Sequence, residues 1–214
     1  MPVIATSHGV RAEEIEVPVT APASTMARLV FENGVERLDL RAERSPDRLL
    51  RASFTQPVPI VRVIDHDVHV AYPVGARLLR RSHDSAVRIS PATPWTLEVD
   101  GGAAHVDADL SDVDVRAMTF RGDAAHLRLR LGRPTQLCSI RLRSVSDLVI
   151  ERPADVAVMV KISNGATKVR LDDRWFGAVG SGLAEQTPVR ESSDGCYVVT
   201  VSGGADTFTV ERSM

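Results

Sequence analysis

One ten-residue pattern recurs along the chain: apolar, any, small or turn residue, Gly, small, any, polar, apolar, any, apolar. It reads FENGVERLDL from Phe31, VDGGAAHVDA from Val99, FRGDAAHLRL from Phe120, ISNGATKVRL from Ile162 and VSGGADTFTV from Val201. With one position deleted it also reads LRSVSDLVI from Leu142. Successive starts lie 68, 21, 22, 20 and 39 residues apart, near multiples of a unit of about 21. VIDHDVHVAY, from Val63, keeps the alternation without the Gly and reads as an intervening unit. A fixed period of this kind marks a repeat architecture. Each unit supplies a corner that tolerates positive φ, such as Asn33-Gly34 or Asn164-Gly165, and then a short strand with alternate residues inward. The inward pairs are Leu38/Leu40, Val106/Ala108, Leu127/Leu129, Leu148/Ile150, Val169/Leu171 and Phe208/Val210. One unit buries almost nothing alone, whereas stacked units share a continuous core.

The expected fold is therefore all-β, a β-helix or β-solenoid with rungs of about 21 residues. A β-sandwich or cupin-like barrel is the alternative, since Gly-rich hairpins of similar spacing occur there as well. Parallel pairing of residues 104–109 with 125–130 separates the two, and Val106, Leu127, Leu148 and Val169 should then form one column. No six-residue apolar period survives along residues 95–171, which disfavours hexapeptide helices. The rest of the chain is consistent with strands: Arg28–Phe31, Arg37–Ala42, Ile60–Ile64, Asp67–Tyr72 and Trp95–Val99 all alternate. Only Pro46–Ala52 and Gly75–Arg81 offer helical periodicity, each under two turns. Residues 1–24 read as an N-terminal arm and 25–214 as the β-domain, with a sub-boundary near 73–94.

The repeat units resemble a known group. GGA-x-x-apolar-x-apolar, with SIRL…DLVIERPADVAVMVKISNGATKVRLDD and VSGGADTFTVE, is similar to the β-helical domains of the bacterial putative-adhesin and cell-wall-stress-response type, over roughly residues 26–212. Similarity to the bactofilin solenoids is weaker. The resemblance implies a right-handed β-helix with one strand per side, used as a scaffold or interaction surface. Members of the group often sit on membrane-anchored chains.

Composition narrows the chemistry. A formal net charge of −2 with 25% charged residues gives no cause for non-specific binding to nucleic acid. Two Trp, two Tyr and five Phe leave no aromatic platform for single-stranded bases. Arg128/Arg130 and Arg141/Arg143 could align as a basic stripe, but acidic residues balance them. Two cysteines, Cys138 and Cys196, are too few for a disulfide framework. No apolar run approaches the roughly 20 residues of a membrane-spanning helix, and a cytoplasmic location is the simplest expectation.

Candidate sites are few. Asp65-His66-Asp67-Val68-His69 is the densest set of nitrogen and oxygen ligands; on a strand Asp65, Asp67 and His69 share a face. His66, His69 and Asp67 are thus metal candidates, and a cupin-like metal enzyme or small-molecule binder would use them. A solvent-facing strand produces the same alternation. His105 and His126 occupy one repeat position and should stack, within an outer column of Arg37, Asp147, Lys168 and Thr207. Asp107 and Arg128 should pair across adjacent strands. Gly177–Gly182 is Gly-rich but lacks the Lys-Ser/Thr of a phosphate loop. G-x-S-x-G does not occur. No catalytic residue and no cofactor is expected. The favoured reading is a non-catalytic module that binds a protein partner or itself through an end of the stack. Val201–Val210 is followed by only four residues, so Phe208, Thr209 and Val210 are the expected contact surface.

Overall fold

The computed structural model describes residues 13–19, 25–73, 84–180, 182–188 and 195–213. These contain seventeen strands and no helix. In chain order they are β1 (Glu13–Pro18), β2 (Ala27–Phe31), β3 (Val35–Ala42), β4 (Arg48–Phe54), β5 (Ile60–Ile64), β6 (Asp67–Ala71), β7 (Asp84–Ile89), β8 (Trp95–Val99), β9 (Ala103–Leu110), β10 (Val115–Leu131), β11 (Cys138–Arg152), β12 (Ala157–Ile162), β13 (Ala166–Leu171), β14 (Arg174–Val179), β15 (Leu183–Gln186), β16 (Cys196–Val201) and β17 (Ala205–Arg212).

The strands pair in two columns. In the first, parallel pairing runs β6, β2, β8, β10, β11, β16, β12. In the second it runs β7, β3, β9, β10, β11, β17, β13. The long strands β10 and β11 pass through both columns and join them into one sheet. Equivalent apolar residues stand in register: Val70, Phe31, Val99, Phe120, Leu142, Val201 and Ile162 line the first column. Val87, Leu40, Ala108, Leu129, Ile150, Val210 and Leu171 line the second. All fourteen are buried in one continuous core. The position missing from LRSVSDLVI is absorbed where the register slips between Phe120 and Asp123.

The corners explain the glycines. A Cβ on Gly122 would lie 2.4 Å from the carbonyl of Gly101, and one on Gly101 would lie 2.6 Å from Gly34 N. Stacked corners approach too closely for any side chain.

The expected parallel pairing of 104–109 with 125–130 is present, with His105 opposite His126 and Asp109 opposite Arg130. Three expectations are corrected. Spatial order does not follow chain order: β2–β3 lies between β6–β7 and β8–β9, and β16–β17 lies between β11 and β12–β13. Phe208 therefore intervenes between Leu148 and Val169 in the column expected to place those two side by side. The long intervals are not runs of further repeat units. Residues 43–94 supply one more unit (β6, β7) plus the antiparallel strands β4 and β5, and VIDHDVHVAY spans the β5–β6 hairpin. Pro46–Ala52 is not helical. It falls largely in β4, which buries Leu50, Ala52 and Phe54 in alternation and pairs antiparallel on both sides, with β1 and β7. Gly75–Arg81 lies outside the described residues.

Each pole is closed by antiparallel strands. At one, β5 covers β6 while β4 covers β7 and β1 covers β4. At the other, β15 covers β12 and β14 covers β13. The arm thus contributes β1 as an outermost strand.

Candidate interaction surface

β5 and β6 form a hairpin whose two-residue loop is Asp65-His66, with Asp65 at φ 55°. Asp tolerates that left-handed conformation better than a branched residue would. Directly opposed residues of an antiparallel pair share a face. Val61 and Val63 therefore lie with Val70 and Val68 on the core side, and Ile60, Arg62 and Ile64 lie with Ala71, His69 and Asp67 outside. Val68 and Val70 are buried, but β5 is the outermost strand and nothing described covers its far side. Ile60 is 62% exposed, Val63 46% and Ile64 59%. Among the described residues β5 pairs with β6 alone. Natural sheet edges are usually blunted by charge. β1, the outermost strand of the adjoining column, is blunted in that way: its Glu14 and Glu16 meet Arg51 and Arg48 of β4.

The metal candidates lie next to this edge, and Asp67 and His69 are already engaged. Arg28 donates to Asp67 from Nη2 at 2.7 Å and from Nε at 3.1 Å, and it also reaches Glu98 at 3.5 Å. Those carboxylates hold its guanidinium pKa above the ordinary value, the hydrogen bond to Asp67 being the largest cause. Glu32 accepts two 2.8 Å bonds from Arg62 and lies 3.0 Å from Nδ1 of His69. His66 Nε2 is buried without a hydrogen-bond partner. Asp67 and His69 do share the outer face, while Asp65 turns the loop instead. Among the described residues no group of three or more His, Cys, Asp or Glu is arranged to hold a metal ion.

His105 and His126 stack as expected, centroids 4.8 Å apart and planes within 9°. His126 Nδ1 lies 3.6 Å from Asp147. The column continues through Arg37, Thr207 and Lys168, and an open groove of about 390 Å³ runs along part of it. Asp107 stands directly opposite Arg128, as expected, while its carboxylate is paired with Arg41 at 3.1 Å, which also reaches Asp39. The basic stripe is interrupted in the same way, Arg130 lying between Asp109 at 3.2 Å and Glu151 at 2.8 Å. Such exposed pairs contribute a few tenths of a kcal/mol each, roughly. Gly177 belongs to β14, and Gly177 and Gly182 take positive φ near the link from β14 to β15. Cys138 is buried, and burial pushes its thiol up to about 12.

The expected contact residues Phe208, Thr209 and Val210 are not at an end. β17 pairs on both sides, and Phe208 and Val210 are 0% exposed. The last described strand inserts inside the stack, and the ends are made instead by β1, β4 and β5 at one pole and by β14 and β15 at the other. Sequence reasoning missed β5 as an edge, although Ile60-Val61-Arg62-Val63-Ile64 carries apolar residues on both alternations and that was the available signal. It also missed the buried pair Arg152–Asp172, 2.6 Å apart, which a single charge at each site does not advertise.

No protein-family model and no curated protein matches the chain. Among solved structures, a "putative cell adhesion protein" from Clostridium sporogenes ATCC 15579 aligns with a TM-score of 0.66 and 14% identity. The alignment covers 95% of this chain and 100% of that one. At that identity the likeness establishes a shared all-β fold. No helix of the described residues is long and apolar enough to cross a membrane.

Proposed function

We propose that the two columns are the sides of a β-solenoid of seven rungs, and that the chain is a non-catalytic scaffold which docks protein through one pole. The solenoid reading is supported by the in-register apolar ladders and by corners that only glycine can fill. The observation that carries the interaction reading is the β5 edge, where three large aliphatic side chains crowd one five-residue strand with an open side. Unpaired N–H and C=O groups on a sheet edge recruit a further strand, and apolar side chains on both faces add burial to it. The adhesion description of the structural neighbour is in keeping with a role in protein contact.

Site-specific photo-crosslinking in cells of the source organism tests this. A photoreactive residue at Ile60 or Ile64 should give discrete protein adducts, and one at Arg128 in the central groove should give none. Adducts from Arg128 without adducts from the two isoleucine positions would refute docking through the pole.

A further inference from the structure

We propose that the protein docked on β5 is a second copy of this chain, paired antiparallel about a two-fold axis through Arg62. This rests on the interaction reading above and names its partner. The strand Ile60-Val61-Arg62-Val63-Ile64 is a palindrome, reading the same from either end. An antiparallel pair centred on Arg62 sets Ile60 opposite Ile64 and Val61 opposite Val63, so every aliphatic side chain meets an aliphatic one. A two-fold interface demands self-complementarity of this kind.

The backbone agrees with the same register. The two-residue loop closes on Ile64 and Asp67 as a hydrogen-bonded pair, and bonding alternates from there. Ile60, Arg62 and Ile64 therefore turn their N–H and C=O groups to β6, and Val61 and Val63 turn theirs to the open side. Centred on Arg62, Val61 and Val63 of opposite copies face each other and exchange four hydrogen bonds. Shifting the centre to Val61 would oppose Val63 to Pro59, which has no N–H to give.

Charge does not oppose the arrangement. The two Arg62 side chains would be direct neighbours, with Cα atoms about 4.5 Å apart. Each is already neutralised by its own Glu32 through two 2.8 Å bonds, so four charges of alternating sign meet at the axis. A strand this short buries less than the roughly 1,600 Å² of a standard interface. The dimer is accordingly concentration-dependent, with Kd on the order of 10–100 µM.

Sedimentation equilibrium of the purified full chain, from about 1 µM to 1 mM around that Kd, should show a monomer–dimer equilibrium. Ile60→Lys with Ile64→Lys should weaken it at least about 100-fold through like charge at both contacts. The circular dichroism and urea midpoint should not move, since both side chains are already in solvent. Glu32→Gln, which leaves the arginines facing each other, should weaken it too. For the register, Arg62→Cys in a Cys196→Ser background should form an intermolecular disulfide under mild oxidation. Ile60→Cys should not, because its own mate would lie four residues away, about 13 Å, beyond disulfide reach. A strict monomer at every concentration, a dimer indifferent to the double lysine change, or cross-linking from Ile60→Cys alone overturns the proposal. If the purified chain is monomeric while photo-adducts at Ile60 contain a different protein, self-pairing fails and the docking reading stands.

Discussion

The two poles of the stack solve one problem with different chemistry. At the β4 pole, closure is apolar and two strands deep. Leu49, Leu50, Ala52 and Phe54 of β4 are buried, and Val17 of β1 is buried behind them. At the β14 pole each column gains a single strand, of whose residues only Leu183 is buried, with Phe176 and Val179 partly so. Closure there depends on polar geometry instead. Arg152 and Asp172 form an ion pair that is essentially inaccessible to water, with Asp172 at φ 53° in the turn between β13 and β14. Arg170 Nε donates to the Asp172 carbonyl at 2.9 Å, and Arg212 approaches the Asp172 carboxylate at 3.5 Å. Arg174 bridges the two cap strands, meeting Glu185 at 3.1 Å and the carbonyl of Gln186. Apolar closure is non-directional and tolerates sliding, whereas a buried ion pair holds only one geometry and penalises the loss of either partner. The free edges differ in the opposite sense: β15 presents Glu185 and Gln186, and β5 presents isoleucine and valine.

The sharpest test of this contrast is at the apolar pole. Phe54→Ala should cost about 4 kcal/mol of unfolding free energy in urea, from lost transfer and the cavity left behind. A loss near 1 kcal/mol would mean that the β4 cap is not part of the cooperative core. At the polar pole, Asp172→Ala should cost about 3 kcal/mol because Arg152 keeps a buried, uncompensated charge. Burial already lowers the pKa of that guanidinium against the opposing pull of Asp172. The paired change Arg152→Met with Asp172→Asn, which leaves no buried charge and keeps a side chain suited to φ 53°, should recover most of that loss. If the single and double variants unfold together, the pair is not what fixes this cap.

A backbone pair gives a finer test at the same pole. Gly165 has φ 96°, and a Cβ there would sit 2.5 Å from the Gly180 carbonyl oxygen, so Gly165→Ala should cost about 1–3 kcal/mol. Gly180 has open space around it, and Gly180→Ala should stay within about 0.5 kcal/mol. The smallest effect is acid dependence. A hydrogen bond from Arg133, aided by a backbone donor, holds the Asp155 carboxyl below its usual 3.8. A depressed folded pKa gives stability that is present above the unfolded value and is lost as pH falls through the folded one. Asp155→Asn should therefore lower Tm slightly at pH 7 and leave it unchanged near pH 2, read by thermal melts at the two pH values.

Much of the interior is legible in the repeat. Phe31, Val99, Phe120, Leu142, Ile162 and Val201 occupy one phase of it, and each lies in the same buried column, because a corner glycine and a two-residue alternation are local demands. The candidate surfaces are less legible. Phe208 reads as terminal since four residues follow its segment, yet β17 is flanked on both sides. Asp67 and His69 read as ligands, yet their partners Arg28 and Glu32 come from β2 and the turn after it, more than 30 residues away. Nothing within the Asp65–His69 stretch encodes that neighbour.

Local sequence dictates the unit: its length near 21 residues, its corner and which side chains face inward. These follow from sterics and alternation within a single copy. The order of the units, the insertion of the first and last of them inside the stack, and the choice of strands that became ends emerge only in three dimensions. Those outcomes depend on which equivalent unit a segment meets. All units offer nearly the same apolar ladder, so the choice rests on long-range contacts of β1, β4, β5, β14 and β15 that no local pattern specifies.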